Sequence, residues 1–180
     1  MRRVAVTDGM AEEAVKRLEN AGCEVIQEFI EHQQLVQGAL AEFDAIIVRS
    51  ATKITEEMLA VSQPRLKVVA RAGVGVDNID IDAASKIGVP VVNAPRASTQ
   101  SVVELTVGHL LASLRFLPRA DRSLRSGDWA KKELKGTELR GKYLGIIGLG
   151  NIGKRLGRLA RALNMNIIGY DVVPIDEEFS

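Results

Sequence analysis

The chain has 180 residues, 46% hydrophobic and 26% charged, a balance that favours a packed core over disorder. Its net charge is +1 and aromatics make up 4%, so neither bulk attraction to nucleic acid or anionic lipid nor a base-stacking surface is expected. No apolar run nears the ~20 residues of a membrane span, and Met1-Arg2-Arg3 leads into a strand-like run rather than a signal peptide. The lone Cys23 excludes an intrachain disulfide and a cysteine metal cluster, and no metal site is expected. These features predict a cytoplasmic globular protein acting on a small molecule or another protein.

Short Val/Ile runs alternate with helical stretches, the pattern of a parallel sheet covered on both faces. The runs are Val4–Thr7, Glu24–Ile26, Ala45–Val48, Lys67–Ala70 and Val89–Val92. Ala11, Ala14, Val15 and Leu18 make one helical stripe, ended at Gly22. Thr55 is placed to cap a helix through Leu59, and Asp80 to cap one from Ile81 to Ile87 that Gly88 closes. These units predict an α/β, flavodoxin-like doubly wound parallel sheet over residues 1–97.

Residues 98–117 read as one long helix that Pro118 kinks or interrupts. Val103, Val107, Leu110, Leu111 and Leu114 form its stripe, but Val102, Leu105 and Leu117 lie off it, which predicts burial between layers or subunits. Arg119 to Gly141, with Trp129, reads as a polar arm, so 98–141 is taken as an inter-lobe helix and arm. Residues 142–180 read as a partial Rossmann βαβ unit, the first third of a dinucleotide-binding domain. Its strands are Tyr143–Ile147 and Asn166–Asp171. Two strands do not make a stable sheet alone.

Gly148-Leu149-Gly150-Asn151-Ile152-Gly153 is G-x-G-x-x-G, set between a predicted strand and an amphipathic helix. Asp171 closes the next strand at about the 20-residue distance that the dinucleotide fingerprint uses. Gly148 permits the tight turn, Gly150 leaves room for a pyrophosphate, and Gly153 lets helix and strand approach. The helix start offers N–H groups and the positive end of the dipole. Asp171 would accept hydrogen bonds from a ribose diol and repel a 2′-phosphate, favouring NAD over NADP. Gly148, Gly153 and Lys154 also fit G-x-x-x-x-G-K, but Arg155 stands where a triphosphate loop needs Ser or Thr to hold magnesium, so that reading is rejected.

Val69-Ala70-Arg71-Ala72-Gly73-Val74-Gly75-Val76-Asp77-Asn78-Ile79-Asp80 resembles the substrate-domain signature of the D-2-hydroxyacid dehydrogenases. Val92–Pro95, Glu104–Thr106, Ser126–Trp129, Leu139–Lys142 and Gly145–Gly153 follow in that family's order and spacing. Within the family, Val48–Thr52 and Gly136–Leu139 look most like the branch that oxidises 3-phosphoglycerate at C2 toward serine. The resemblance implies that Arg49 and Arg71 face a phosphorylated or carboxylated acid. It implies that the N–H groups of Val74 and Gly75 meet the substrate carboxylate, with Val74 also near the nicotinamide. It implies that Asn151 and Ile152 contact the pyrophosphate of NAD and that Asp171 binds its ribose. Thr106 reads as an ordinary helix residue that could line the nicotinamide pocket. Arg96-Ala97-Ser98 departs from the family's usual Gly-Asn-Ser type of turn.

The family's catalytic Arg, acid and His follow later than Asp171, and neither His32 nor His109 fits that role. No catalytic residue is therefore expected in this chain, which reads as an inactive fragment. The apolar long helix and the unpaired strand edges predict a homo-oligomer, a dimer with possible exchange of 98–171. Two other readings stand beside this one. One is a non-catalytic flavodoxin-like binding or dimerisation module. The other is a receiver domain, which would need an Asp where Arg49 ends the third strand.

Overall fold

Apolar strands with polar caps and glycine breaks fold into two compact units, Met1–Ala97 and Ser98–Ser180. The structure is a computed structural model that describes residues 1–175; residues 176–180, the end of the predicted 142–180 segment, lie outside the described residues. In the first unit β1 (Arg2–Val6), β2 (Cys23–Gln27), β3 (Ala45–Val48), β4 (Val68–Arg71) and β5 (Val91–Asn93) pair in parallel. Their order, β2-β1-β3-β4-β5, is the flavodoxin-like one. The helices are α1 (Glu12–Asn20), α2 (His32–Val36), α3 (Glu56–Val61) and α4 (Ile81–Lys86).

One face of the sheet carries Ala5, Ile46, Val48 and Val69 into a core with Leu35, Leu40, Met58 and Leu59, all essentially inaccessible to solvent. Each Val, Leu, Ile or Met among them contributes about 1.5–3 kcal/mol. Asp80 caps α4 as expected, its Oδ1 accepting from the Ala83 N–H at 2.9 Å. Thr55 precedes α3 with extended backbone, but its hydroxyl makes no capping bond; Glu56 and Glu57 in the first turn complement the helix dipole.

The second unit corrects the sequence reading in two places. The helix expected over 98–117 ends sooner: α5 runs Thr99–Leu114, and a separate α6 spans Leu117–Arg125. Phe116, with φ 53°, makes the break by entering the left-handed region. Pro118 lies in the first turn of α6, where a missing N–H costs nothing. The stretch read as a polar arm thus begins with a helix, whose apolar positions Leu117, Ala120 and Leu124 are masked by intervening charges.

Beyond it β6 (Tyr143–Ile147), α7 (Asn151–Ala162) and β7 (Asn166–Tyr170) form a parallel βαβ unit. Val103 of α5 is fully buried against Ile146, Leu149 and Leu156. Leu110, Leu111 and Leu114 pack around Leu139, Ala160 and Met165. Within the single chain this helix is buried on its Val103 side, and Leu105, off that stripe, is 61% exposed. Among the described residues no helix is long and apolar enough to cross a membrane.

This one-sided burial has a measurable outcome. Val103→Ala removes two buried methyl groups and should cost about 2 kcal/mol of unfolding free energy. In the monomer, at concentrations too low for self-association, Leu105→Ala should stay within about 0.5 kcal/mol. Urea denaturation of both variants checks the difference.

Candidate functional site

Parallel pairing sets Val48 of β3 opposite Arg71 of β4, and the Ala72 N–H donates to the Val48 carbonyl at 2.8 Å. Arg49 and Arg71 therefore leave the sheet at the same edge. Between them stands Asn78. Its Nδ2 donates to the carbonyls of Arg49 at 2.9 Å and Thr52 at 2.6 Å. Its Oδ1 accepts from Arg71 Nε at 3.1 Å, and the same Nε reaches the Arg49 carbonyl at 3.2 Å.

Asp8 follows β1, beside the point where the strand order reverses. This is the crevice where open α/β sheets bind ligands. Its Oδ2 accepts from the N–H groups of Arg49 at 2.7 Å, Thr52 at 3.1 Å and Ala51 at 3.2 Å. Its Oδ1 accepts from the Thr52 hydroxyl at 2.5 Å. Burial works to raise the Asp8 pKa, but the hydrogen bonds from Thr52, Arg49 and Thr7 outweigh it and hold the carboxyl below its ordinary value.

The loop after β4 completes this group. The Gly73 carbonyl accepts from Ala94 N–H at 2.9 Å and the Val74 carbonyl from Asn93 Nδ2 at 2.5 Å. Among the described residues the N–H groups of Val74 and Gly75 make no hydrogen bond. The Arg71 guanidinium lies over this loop: a Cβ on Gly73 would sit 2.5 Å from Nη1. A guanidinium beside two outward amides suits a carboxylate or phosphate. The Arg49 side chain is exposed, and among the described residues its guanidinium has no hydrogen-bond or ion-pair partner. The sequence reading missed Asp8, Thr52 and Asn78. Their signal was position: each lies just past a strand's carboxyl end, the last two inside motifs already quoted.

The second constellation is the turn from β6 into α7. Gly148 has φ 92°, which side chains rarely adopt, and its N–H donates to the Tyr170 carbonyl at 2.8 Å. A Cβ on Gly153 would overlap the Gly148 carbonyl oxygen and lie 3.3 Å from Ile146 Cγ2, so helix and turn touch directly. A Cβ on Gly150 would meet nothing within 4 Å, leaving open space over the turn. Gly150 caps the 12-residue α7. Helix geometry gives the N–H groups of Ile152 and Gly153 no intrahelical acceptor, and the dipole adds positive potential there.

Asp171 Oδ2 accepts from the Leu149 N–H at 2.6 Å, and Oδ1 from Val172 N–H at 2.7 Å. The Leu149 hydrogen bond is the main cause that holds the Asp171 carboxyl below its ordinary pKa. The N–H groups at the start of α7 suit a diphosphate, and the anionic carboxylate at the lip of the turn suits a ribose diol. Thr106 donates to the Val102 carbonyl at 2.7 Å, the ordinary bond of a helix threonine. His32 opens α2 and His109 lies within α5.

A glycine turn of this shape between parallel strands, with an acid ending the second, defines the dinucleotide-binding class of α/β protein. The sequence profile described as D-isomer specific 2-hydroxyacid dehydrogenase, catalytic domain, matches residues 4–176, and the chain belongs to that family. D-3-phosphoglycerate dehydrogenase of Methanocaldococcus jannaschii is 47% identical over 171 residues, covering 95% of this chain and 32% of that protein. Hydroxypyruvate reductase of Thermotoga maritima is 46% identical, covering 94% of this chain and 55% of that one. The cofactor(NAD+)-bound 3-phosphoglycerate dehydrogenase of Entamoeba histolytica superposes with a TM-score of 0.74 at 34% identity. It matches over 98% of this chain and 56% of that one. The chain thus spans about a third to a half of its relatives' length.

The Asp8 cluster predicts a pH dependence. A depressed folded pKa means its stabilisation is complete above the unfolded value of about 3.9 and is lost as pH falls through the folded value. The protection of the Arg49, Ala51 and Thr52 amides, relative to their intrinsic exchange at each pH, should hold through the ordinary carboxylate range and be lost only below it. In Asp8→Asn these amides should exchange faster at neutral pH, without that acid step.

Proposed function

We propose that this chain carries the substrate-anion site and the opening part of the NAD site of a D-2-hydroxyacid dehydrogenase that oxidises 3-phosphoglycerate to 3-phosphohydroxypyruvate. The observation that carries the reading is the Asp171 carboxylate 2.6 Å from the amide of the glycine turn. Support also comes from the 3-phosphoglycerate dehydrogenases among the relatives. Serine synthesis in the cytoplasm is the setting that goes with this activity.

The first unit acts as the substrate lobe. Arg71 and the amides of Val74 and Gly75 hold one anionic group of the acid, and the exposed Arg49 meets another. In the second unit Gly148, Gly150 and Gly153 shape the turn that receives the NAD diphosphate, Asn151 and Ile152 lie against it, and Asp171 takes the adenosine ribose diol. NAD supplies the hydride acceptor when bound. The charge of Asp171 excludes a 2′-phosphate by repulsion. The resemblance places the catalytic Arg, acid and His at no position of this chain, so its part is binding and orientation rather than proton or hydride transfer.

The hydroxypyruvate reductase relative, nearly as similar, favours one second reading: a parent enzyme whose substrate has no phosphate. Ligand-observed NMR titrations separate the two. The expected outcome is millimolar NAD binding, about tenfold weaker in Asp171→Ala, with NADP weaker still in the wild type. 3-Phosphoglycerate should bind more tightly than D-glycerate; the reverse order would favour the second reading. Equal NAD and NADP affinity would sink the role of Asp171. Turnover of 3-phosphoglycerate and NAD by the 180-residue chain would sink its assignment as inactive.

Self-association belongs to the same proposal. Leu105, Leu124 and Trp129 are exposed, and β6 and β7 are the whole of their sheet among the described residues. We expect a dimer, with exchange of residues 98–171 as one route to it. Light scattering at micromolar concentration should report twice the chain mass; a monomer would overturn it.

A further inference from the structure

We infer that Asn78 is a positioning residue for Arg71, fixing the guanidinium over the Val74–Gly75 amide pair while tying the loop that carries Arg49 to the same point. The inference rests on the proposed reading of this edge as an anion site. An arginine has many rotamers, and its charge is directional only when something holds the stem. Here the Arg71 Nε–H is held by two acceptors, Asn78 Oδ1 at 3.1 Å and the Arg49 carbonyl at 3.2 Å. The terminal Nη groups stay available for a ligand.

The chemistry of the amide explains why this position is an asparagine. Its Nδ2 spends both hydrogens on the carbonyls of Arg49 and Thr52, and its Oδ1 faces Arg71. Two donors and one acceptor at that reach are what a side-chain amide offers. A carboxylate in its place would face two carbonyl oxygens with negative charge and would neutralise Arg71. Because both hydrogens are already engaged inside the loops, Asn78 has no donor left for a ligand and acts through Arg71. Its backbone joins the same strap: the Asn78 carbonyl accepts from Ile54 N–H at 2.9 Å, and Ile79 bridges to Ile54.

The test uses the 15N-labelled chain with 3-phosphoglycerate as probe and inorganic phosphate as a second arm. In the wild type the Arg71 Nε–H cross-peak should exchange slowly with water. In Asn78→Ala it should exchange fast, and 3-phosphoglycerate affinity should fall about tenfold. In Asn78→Asp the Nε–H should remain protected while affinity falls further. In an Arg71→Lys background, Asn78→Ala should cost clearly less than that tenfold, the remainder being the loosened Arg49 loop.

Unchanged Nε–H exchange in Asn78→Ala, or wild-type affinity in either Asn78 variant, overturns the inference. An equal tenfold loss in the Arg71→Lys background also overturns it, because the role would then be structural. Should Asn78→Ala not fold, the near-isosteric Asn78→Leu, which also removes the Oδ1 acceptor, decides by the same Nε–H exchange and affinity. If the wild type binds neither 3-phosphoglycerate nor phosphate, the functional reading fails, and the Nε–H exchange still decides whether Asn78 positions Arg71.

Discussion

Parallel strands in register deliver their carboxyl ends along one edge, and in this chain nearly every polar side chain of note is placed by that constraint. Val4 pairs with Ala45, Ala45 with Val68, and Val48 with Arg71, so the residues after β1, β3 and β4 emerge as neighbours. Asp8, the Arg49–Thr52 loop and Arg71 meet for this reason and not because they are close in sequence. The buried face of Ala5, Ile46, Val48 and Val69 fixes the register. A one-residue slip would turn those side chains to the opposite face.

The two units use the same local chemistry at different strands. In each, a carboxylate just past a strand accepts N–H groups of a loop: Asp8 from Arg49, Ala51 and Thr52, Asp171 from Leu149 and Val172. Loop amides lack the regular partners of a strand ladder, and an ionised acceptor is a strong substitute. These charge-assisted bonds define loop shape. The exposed pairs Lys16–Glu12 and Arg125–Asp121, by contrast, contribute little.

Much of this was legible in the sequence, for local reasons. Strand positions follow from Val/Ile runs, the Asp80 cap from its spacing to Ala83, and the β6–α7 turn from its glycines. Each rests on chemistry within a few residues. The interruption was legible from Pro118, whose ring cannot follow the Leu114 carbonyl in a continuous helix, but the left-handed turn at Phe116 that makes it was not, because such a phenylalanine has no signature. The amphipathic character of α6 was hidden by its charges. The Asp8 and Asn78 bonds were out of reach for another reason. They join residues 41 and 29 positions apart, and only strand order brings those together.

Gly73 has an ordinary backbone, yet a methyl group there would press on Arg71 Nη1, the tip of a bendable side chain. Replacement at this site would leave the scaffold intact and shift where the positive charge rests. Gly153 is different in kind, since its neighbour is main chain and cannot yield. One glycine is thus a tuning point through which divergent descendants could adapt to acids of other lengths, while the other is a fixed stop.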